Sequence, residues 1–407
     1  MSRRQHALVL AVLIVGGFLR YDHLLTDPQP RIDEFLYEAG FQEFADGRSP
    51  YEARGFLYPP TFAAAGAAGL GTFGTATTRS LIRAINFFGL VGILWAAVAL
   101  FAPHAGPTRT WPLVVLAALG ILSPGTELGF AVGNISFLAG ALILVGLWQA
   151  GARPWLAGPL LSASLLIKPL AAASLPLLLV PPGARNDGGT DADRRELTRR
   201  WRRRITTALL AGGLSALALG LLLPEFLAML EVDLSRVAKG RTSSTYRIAR
   251  LLGLGEQRLP IFAAICGLSI WVLWRRLPSR RALLVGALAV VPLTTLAVWS
   301  HTLVLMFPVV ALALRRLIDR RFAGRRPPAD PHGRLEAVLV LGACALIYFA
   351  PSAGFATLPS AAQVLLLLPQ LAAPPALAAY WFATTAGTTN GAVAPGVVRR
   401  PASPGSR

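Results

Sequence analysis

RIDEFLYEAGFQEFADGRSPYEARGFLYPP, residues 31–60, lies between two apolar segments, and the rest of the chain is read from it. Eight of the twenty carboxylates (Asp22, Asp27, Asp33, Glu34, Glu38, Glu43, Asp46 and Glu52) fall before residue 60, a dense cluster for so apolar a sequence. Pro30 and Gly47 bracket a helix-length run, since proline suits a helix start and glycine a helix end. Asp33 and Tyr37, four residues apart, share one face of that helix; Ile32, Phe35, Leu36 and Ala39 form an apolar stripe on another. The expectation is a short helix on a membrane surface. Pro50-Tyr51 and Tyr58-Pro59-Pro60 then fix the chain's return, because proline locks φ and holds the preceding residue extended.

Composition sets the class. The chain has 407 residues, 54% hydrophobic and 14% charged, with a mean hydropathy of +0.55. These values exclude an ordinary soluble domain and indicate a polytopic membrane protein. Its net charge of +19 comes from arginines gathered in short loops between apolar segments, which argues for membrane topology and against nucleic acid as partner. Cys266 and Cys344 each sit inside an apolar run and read as small buried side chains, not as a disulfide or metal site. Arg3-Arg4 before Ala7–Leu19 resembles a signal peptide, but bulky Phe18-Leu19-Arg20-Tyr21 offers no cleavage site, so the segment is expected to stay as a first span.

Apolar segments at about 5–21, 58–73, 81–102, 111–123, 135–150, 155–181, 205–224, 259–274, 282–299, 302–317, 335–350 and 361–384 predict an all-α membrane bundle of about 12 spans. With one crossing per segment and the N-terminus inside, most Lys and Arg fall on the cytoplasmic side, including Arg79, Arg83 and the arginine-rich stretch 183–204. That stretch reads as a solvated loop facing anionic headgroups. Ser123–Asn134 is also placed in the cytoplasm, although without a basic residue, and the C-terminus follows it there. The exterior then holds the loop 31–60, a basic loop 225–258 and His301 at the mouth of a span. Residues 1–384 make one membrane domain; the Gly-, Pro-, Ser- and Arg-rich stretch 385–407 reads as a disordered tail.

Four features could carry chemistry. Asp33 and Glu34 form an acidic pair outside the first span, either hydrated surface charges or a general base with a neighbour in reserve. Lys168 stands in the middle of an apolar span, where an ammonium costs about 2.5–3.5 kcal/mol, so it either contacts a backbone carbonyl, snorkels, or meets an anion. The exterior loop 225–258 carries Arg236, Lys239, Arg241, Arg247, Arg250 and Arg258 against the topological trend. Those side chains suit phosphate oxygens or an anionic lipid surface. His301, after Trp299-Ser300, is an interfacial polar residue or a group that orients substrate. No His, Cys and carboxylate spacing indicates a metal centre.

A wider pattern joins these features. Asp33, Tyr37, Gly47, Pro50-Tyr51, Phe56 and Tyr58-Pro59-Pro60, then Asn86, Gly133-Asn134, Ile167-Lys168-Pro169 and Trp299-Ser300-His301 with Leu303 and Pro308, resemble glycosyltransferase family 87 of the GT-C superfamily in order and spacing. The resemblance implies an inverting membrane glycosyltransferase at the cell membrane. It would move a sugar, mannose by family analogy, from a polyprenyl-phosphate donor to a hydroxyl of an exterior glycan or glycolipid. Asp33 would be the base, with Glu34 as fallback. Tyr37, Tyr58, Asn134, Lys168, Arg241, Arg247 and His301 would contact substrate, and no cofactor is implied. Departures are Gly133 where the family often has glutamine, and Arg241-Thr242-Ser243-Ser244 where it has an Asn-Gln-Ser run; they leave sugar and acceptor open. The competing class is a multi-pass lipid or glycan transporter, yet coupled transporters use intramembrane carboxylates and every Asp or Glu here falls in a loop or at a span edge.

Overall fold

The computed structural model describes residues 1–53, 55–102, 110–180, 191–231, 252–253, 264, 267, 280–294, 300–322, 331–348 and 360–389. Among the described residues every regular element is helical, as expected. Helices α1 (Arg3–Ala11) and α2 (Gly17–Thr26), joined by a π-helical turn at Val12–Gly16, make one apolar rod that begins at Arg3 and ends at Thr26.

A helical hairpin follows, α3 (Ile32–Ala45) and α4 (Pro60–Phe73). At the start of α3, Glu34 turns back to accept the Arg31 backbone N–H at 2.9 Å, and Asp33 and Glu34 both lie in the first turn, where negative charge is favoured. The helix stops short of Gly47, at φ +77°, as the Pro30–Gly47 bracket predicts. Tyr37, Phe41, Phe56 and Phe62 are buried between the two helices, with Tyr37 edge-on to both Tyr58 and Phe62. Ile32 and Phe35 point the other way and are 70% and 62% exposed, whereas Leu36 and Ala39 of the same expected stripe are half-buried, Ala39 against the Tyr37–Phe41–Phe62 cluster, so only part of the stripe faces outward.

Helix α5 (Thr75–Phe101) carries much of the core, burying Leu90, Ile93, Leu94 and Ala97, and packs against α8 (Ser136–Gln149). The approach is close: a Cβ on Gly89 would lie 2.6 Å from the Leu138 backbone nitrogen. Between them, α6 (Trp111–Ile121) and α7 (Pro124–Val132) meet at a 42° bend. Helix α9 (Pro154–Ile167) gives way to a 3-10 turn, Pro169–Ser174, and α10 (Leu175–Leu179). The remaining helices are α11 (Asp191–Leu221), α12 (Leu223–Glu231), α13 (Arg280–Thr294), α14 (Phe307–Phe322), α15 (Pro331–Tyr348) and α16 (Ser360–Thr389), with a 3-10 turn, Ser300–Met306, before α14.

Several expectations need correction. Three helices, Arg3–Thr26, Thr75–Phe101 and Arg195–Leu221, are long and apolar enough to cross a membrane, or four if the bent pair α6–α7 is one span; the count of twelve is not reached among the described residues. The segment 58–73 does not cross. The 14 residues of α4 fold back along α3, and Arg79, just after them, bonds Glu38 at 2.5 and 2.9 Å. Arg79 and Arg83 therefore lie on the same side as Asp33, not opposite it. Asn134 also meets Asp33, so the segment 123–134 ends on that side too. These two displacements cancel further along: α9 and α11 run side by side, with Ser162 bonded to Ser215 at 2.9 Å, and Ser49 donates to Glu225 at 2.7 Å just beyond α11. From Asp191 the arginine-rich stretch is helix, not loop, and Glu196 pairs with Arg200 at 2.8 Å across one turn. The last helix extends to Thr389, so 385–389 is helical; 390–407 lies outside the described residues.

Candidate active site

Two interruptions in the helices build the floor of the site. The first closes α7. Gly133 adopts the left-handed conformation, φ +75°, its N–H bonds Phe130 O at 3.1 Å, and the Asn134 N–H bonds Gly129 O at 3.0 Å. This is the glycine-terminated helix ending that a residue with a Cβ adopts only under strain. The second closes α9: Lys168, held extended at φ −155° and ψ 123° by the ring of Pro169, leaves the helical path. Lys168 is thus at the end of a helix and not mid-span as the hydropathy profile implies, and its side chain reaches the level of α3.

The two breaks meet beneath Asp33. Asn134 Nδ2 donates to Asp33 Oδ2 at 2.5 Å and to the Tyr58 hydroxyl at 3.1 Å. The Lys168 ammonium donates to Asn134 Oδ1 at 3.0 Å and to Ser136 Oγ at 2.7 Å, and stands 5.8 Å from the centre of the Tyr58 ring. Tyr37 closes the network from behind: its hydroxyl accepts the Ile135 N–H at 3.2 Å and donates to Tyr58 at 2.9 Å. Burial holds both phenols protonated well above their ordinary range. Asp33 is lifted above the usual carboxylate range by burial, while the Asn134 hydrogen bond and the Lys168 charge pull it down. A carboxylate in that setting, half-buried and opposite a cation, can take a proton from a substrate hydroxyl.

Glu34 occupies a different environment one residue on. Arg83 grips it through Nε at 2.7 Å and a terminal nitrogen at 2.6 Å, and Arg83 also donates to Gln29 O at 2.8 Å and to Asp27 O. Arg31 runs beside it, donating to Phe130 O and Leu24 O, each at 2.6 Å. Glu34 is 3% exposed and both its oxygens are engaged, so the fallback base of the sequence reading is a buried counter-charge.

Of the residues anticipated for the site, Asp33, Tyr37, Tyr58, Asn134 and Lys168 come together. Arg241 and Arg247 lie outside the described residues. His301 falls within the 3-10 turn Ser300–Met306, whose backbone packs against α7 and α8; its side chain is not among those described. Sequence reading missed Ser136 as a partner of Lys168, and Arg83 as the partner of Glu34. The one available sign was an arginine, Arg83, at the head of an apolar run.

The model of glycosyltransferase family 87 matches residues 56–298, which include Tyr58, Asn86, Asn134 and Lys168 and begin downstream of Asp33. No curated protein matches the chain. With more than half of its length matched, the chain belongs to glycosyltransferase family 87.

Proposed function

We propose that this glycosyltransferase moves a sugar, mannose as the first candidate, from a polyprenyl-phosphate donor to a hydroxyl of a glycan or glycolipid on the exterior face of the cell membrane, with Asp33 as the base. Asp33 takes the proton of the acceptor hydroxyl while that oxygen attacks the anomeric carbon. The bond from that carbon to the phosphate oxygen breaks, its electron pair leaves with the phosphate, and the anomeric centre inverts. Lys168, with Arg241 and Arg247 from the basic loop and His301, meets the phosphate as its charge grows. The observation that carries this reading is the contact Asp33–Asn134–Lys168, which sets a proton acceptor and a cation on two ends of one amide. Two charges of opposite sign at this spacing suit a reaction that generates a proton at one end and an anion at the other.

Incorporation of radiolabel tests it. Purified protein in nanodiscs, given polyprenyl-phosphate [14C]mannose and an envelope lipid extract as acceptor, is expected to form labelled glycolipid, and Asp33→Asn protein is expected to form none. Labelled product at the wild-type rate from Asp33→Asn would remove Asp33 as the base. Label that crosses the bilayer unchanged would instead favour a carrier.

A further inference from the structure

We propose that Asn134 is a positioning residue that keeps Asp33 ready to accept a proton and ties its charge to the Lys168 ammonium, without itself contacting substrate. This rests on Asp33 being the base.

A count of donors and acceptors carries it. The Ser136 N–H can only donate, so the Asn134 atom it meets at 3.0 Å is the carbonyl oxygen Oδ1, and the orientation of the amide follows. Oδ1 also accepts from the Ser136 hydroxyl at 2.5 Å and from Lys168 at 3.0 Å. The two hydrogens on Nδ2 go to Asp33 and Tyr58. On the backbone, Asn134 O accepts from Asn86 Nδ2 at 2.8 Å, and Asn86 Oδ1 in turn accepts the Leu138 N–H at 3.1 Å, pinning the turn to α5. Each polar atom of Asn134 is thereby engaged by protein, and the residue is 3% exposed. Asp33, Tyr58 and Lys168 around it are only part-buried and keep capacity for a ligand.

The residue type fits the task. A primary amide presents N–H to a carboxylate and C=O to an ammonium at the same time. An aspartate here would repel Asp33, a lysine or arginine would repel Lys168, and a leucine would take the amide donor from Asp33 and leave Lys168 only the Ser136 hydroxyl in a half-buried site. The other charged and titratable groups around Asp33 are few. At the start of α3 and along it they are Arg31, which donates to Phe130 O and Leu24 O, Glu34, already met by Arg83 from α5, Tyr37, and Glu38, which Arg79 holds. Tyr58 and Lys168 face it directly, Tyr51 and Glu52 lie on the neighbouring turn, α4 supplies none, and Glu127 on α7 is paired with Arg20 at 2.8 Å. The hydrogen bond from Asn134 is the largest of the influences holding Asp33 down against burial.

Two variants and two measurements test the assignment in full-length protein in nanodiscs. In transfer from polyprenyl-phosphate [14C]mannose, Asn134→Asp is expected to move the acid limb of the rate profile upward by at least about one pH unit, roughly a tenfold loss on that flank, because two carboxylates then share one site. Asn134→Ala should move it the same way by less. Equal loss at every pH in both variants would mean a purely structural role and would overturn the proposal. The second measurement needs no substrate: an infrared titration of the carboxyl C=O band that Asp33→Asn removes. Its midpoint should rise in Asn134→Ala, and an unchanged midpoint would also overturn the proposal. A shifted midpoint without any sugar transfer by wild-type protein would refute the proposed reaction and leave the electrostatic link standing.

Discussion

Arg83 holds Glu34 through two parallel hydrogen bonds, 2.7 and 2.6 Å long, although 49 residues separate them and the sequence places them on opposite sides of a membrane. Both are buried, at 7% and 3% exposure, so neither charge has water to fall back on. Arg83 also binds the carbonyls that lead into α3, and the pair therefore fixes where α3, and Asp33 in its first turn, begins.

The first prediction separates the two neighbouring acids. Glu34→Gln leaves Arg83 buried and uncompensated, which should cost about 3–5 kcal/mol of stability. Denaturant unfolding in detergent measures this. The fraction that stays folded should still transfer sugar; complete loss of activity in well-folded Glu34→Gln protein would return Glu34 to the catalytic list.

Asp33→Asn should behave in the opposite manner. Transfer is expected to fall by about two to four orders of magnitude. Stability at neutral pH should not drop. Burial raises the folded-state pKa of Asp33 above its ordinary value, so folding favours its protonated form, and the stability it contributes in acid is lost as pH rises through that value. Removing the charge therefore removes a cost at neutral pH. A thermal midpoint well below wild type at neutral pH would contradict this.

The same shift predicts the pH profile. The base works only when ionised, so kcat/KM should rise with pH along a limb centred above the ordinary value of 3.8. Rates measured on wild-type protein from acid to neutral pH test it, and a limb at or below that value would refute the environment described for Asp33.

Lys168 and the turn that aims it can be tested separately. Lys168→Met should lower transfer by about two to three orders of magnitude by removing positive charge from the proposed phosphate leaving group. Pro169→Ala keeps the lysine but frees it to continue the helix, because the constraint on the residue before proline disappears. Activity should fall while thermal stability holds or rises, as followed by transfer assay and melting in parallel.

Gly133→Ala should be poorly tolerated for two reasons. It forces a Cβ into φ +75°, and that Cβ would stand 2.6 Å from Glu34 Cγ. Strain of this kind costs about 1–3 kcal/mol, which unfolding curves resolve.

Local features of the site were legible in the sequence. Pro30 and Gly47 marked the ends of α3, four-residue spacing put Asp33 and Tyr37 on one face, and Lys168-Pro169 marked a break. What hydropathy could not separate was a segment that crosses from one that folds back. The run 58–73 is apolar because α4, through Phe62 and Ala63, covers Tyr37 and Phe41, and nothing in its composition says that the helix turns back along α3. The partnership of Arg83 with Glu34 escaped for a related reason, since it depends on that reversal. The arginine-rich run read as loop through its glycines and aspartates, while the pairing of Glu196 with Arg200 one turn on supports helix.

Ile32 and Phe35 bracket the catalytic candidate Asp33 in sequence and face outward from α3, at 70% and 62% exposure. Lipid that wets those two side chains would set how deeply the helix floats, and with it the height at which the carboxylate would meet the lipid-borne sugar proposed above. On that proposal bilayer thickness becomes a component of the catalyst, and a change of lipid alone should retune turnover without touching a single residue.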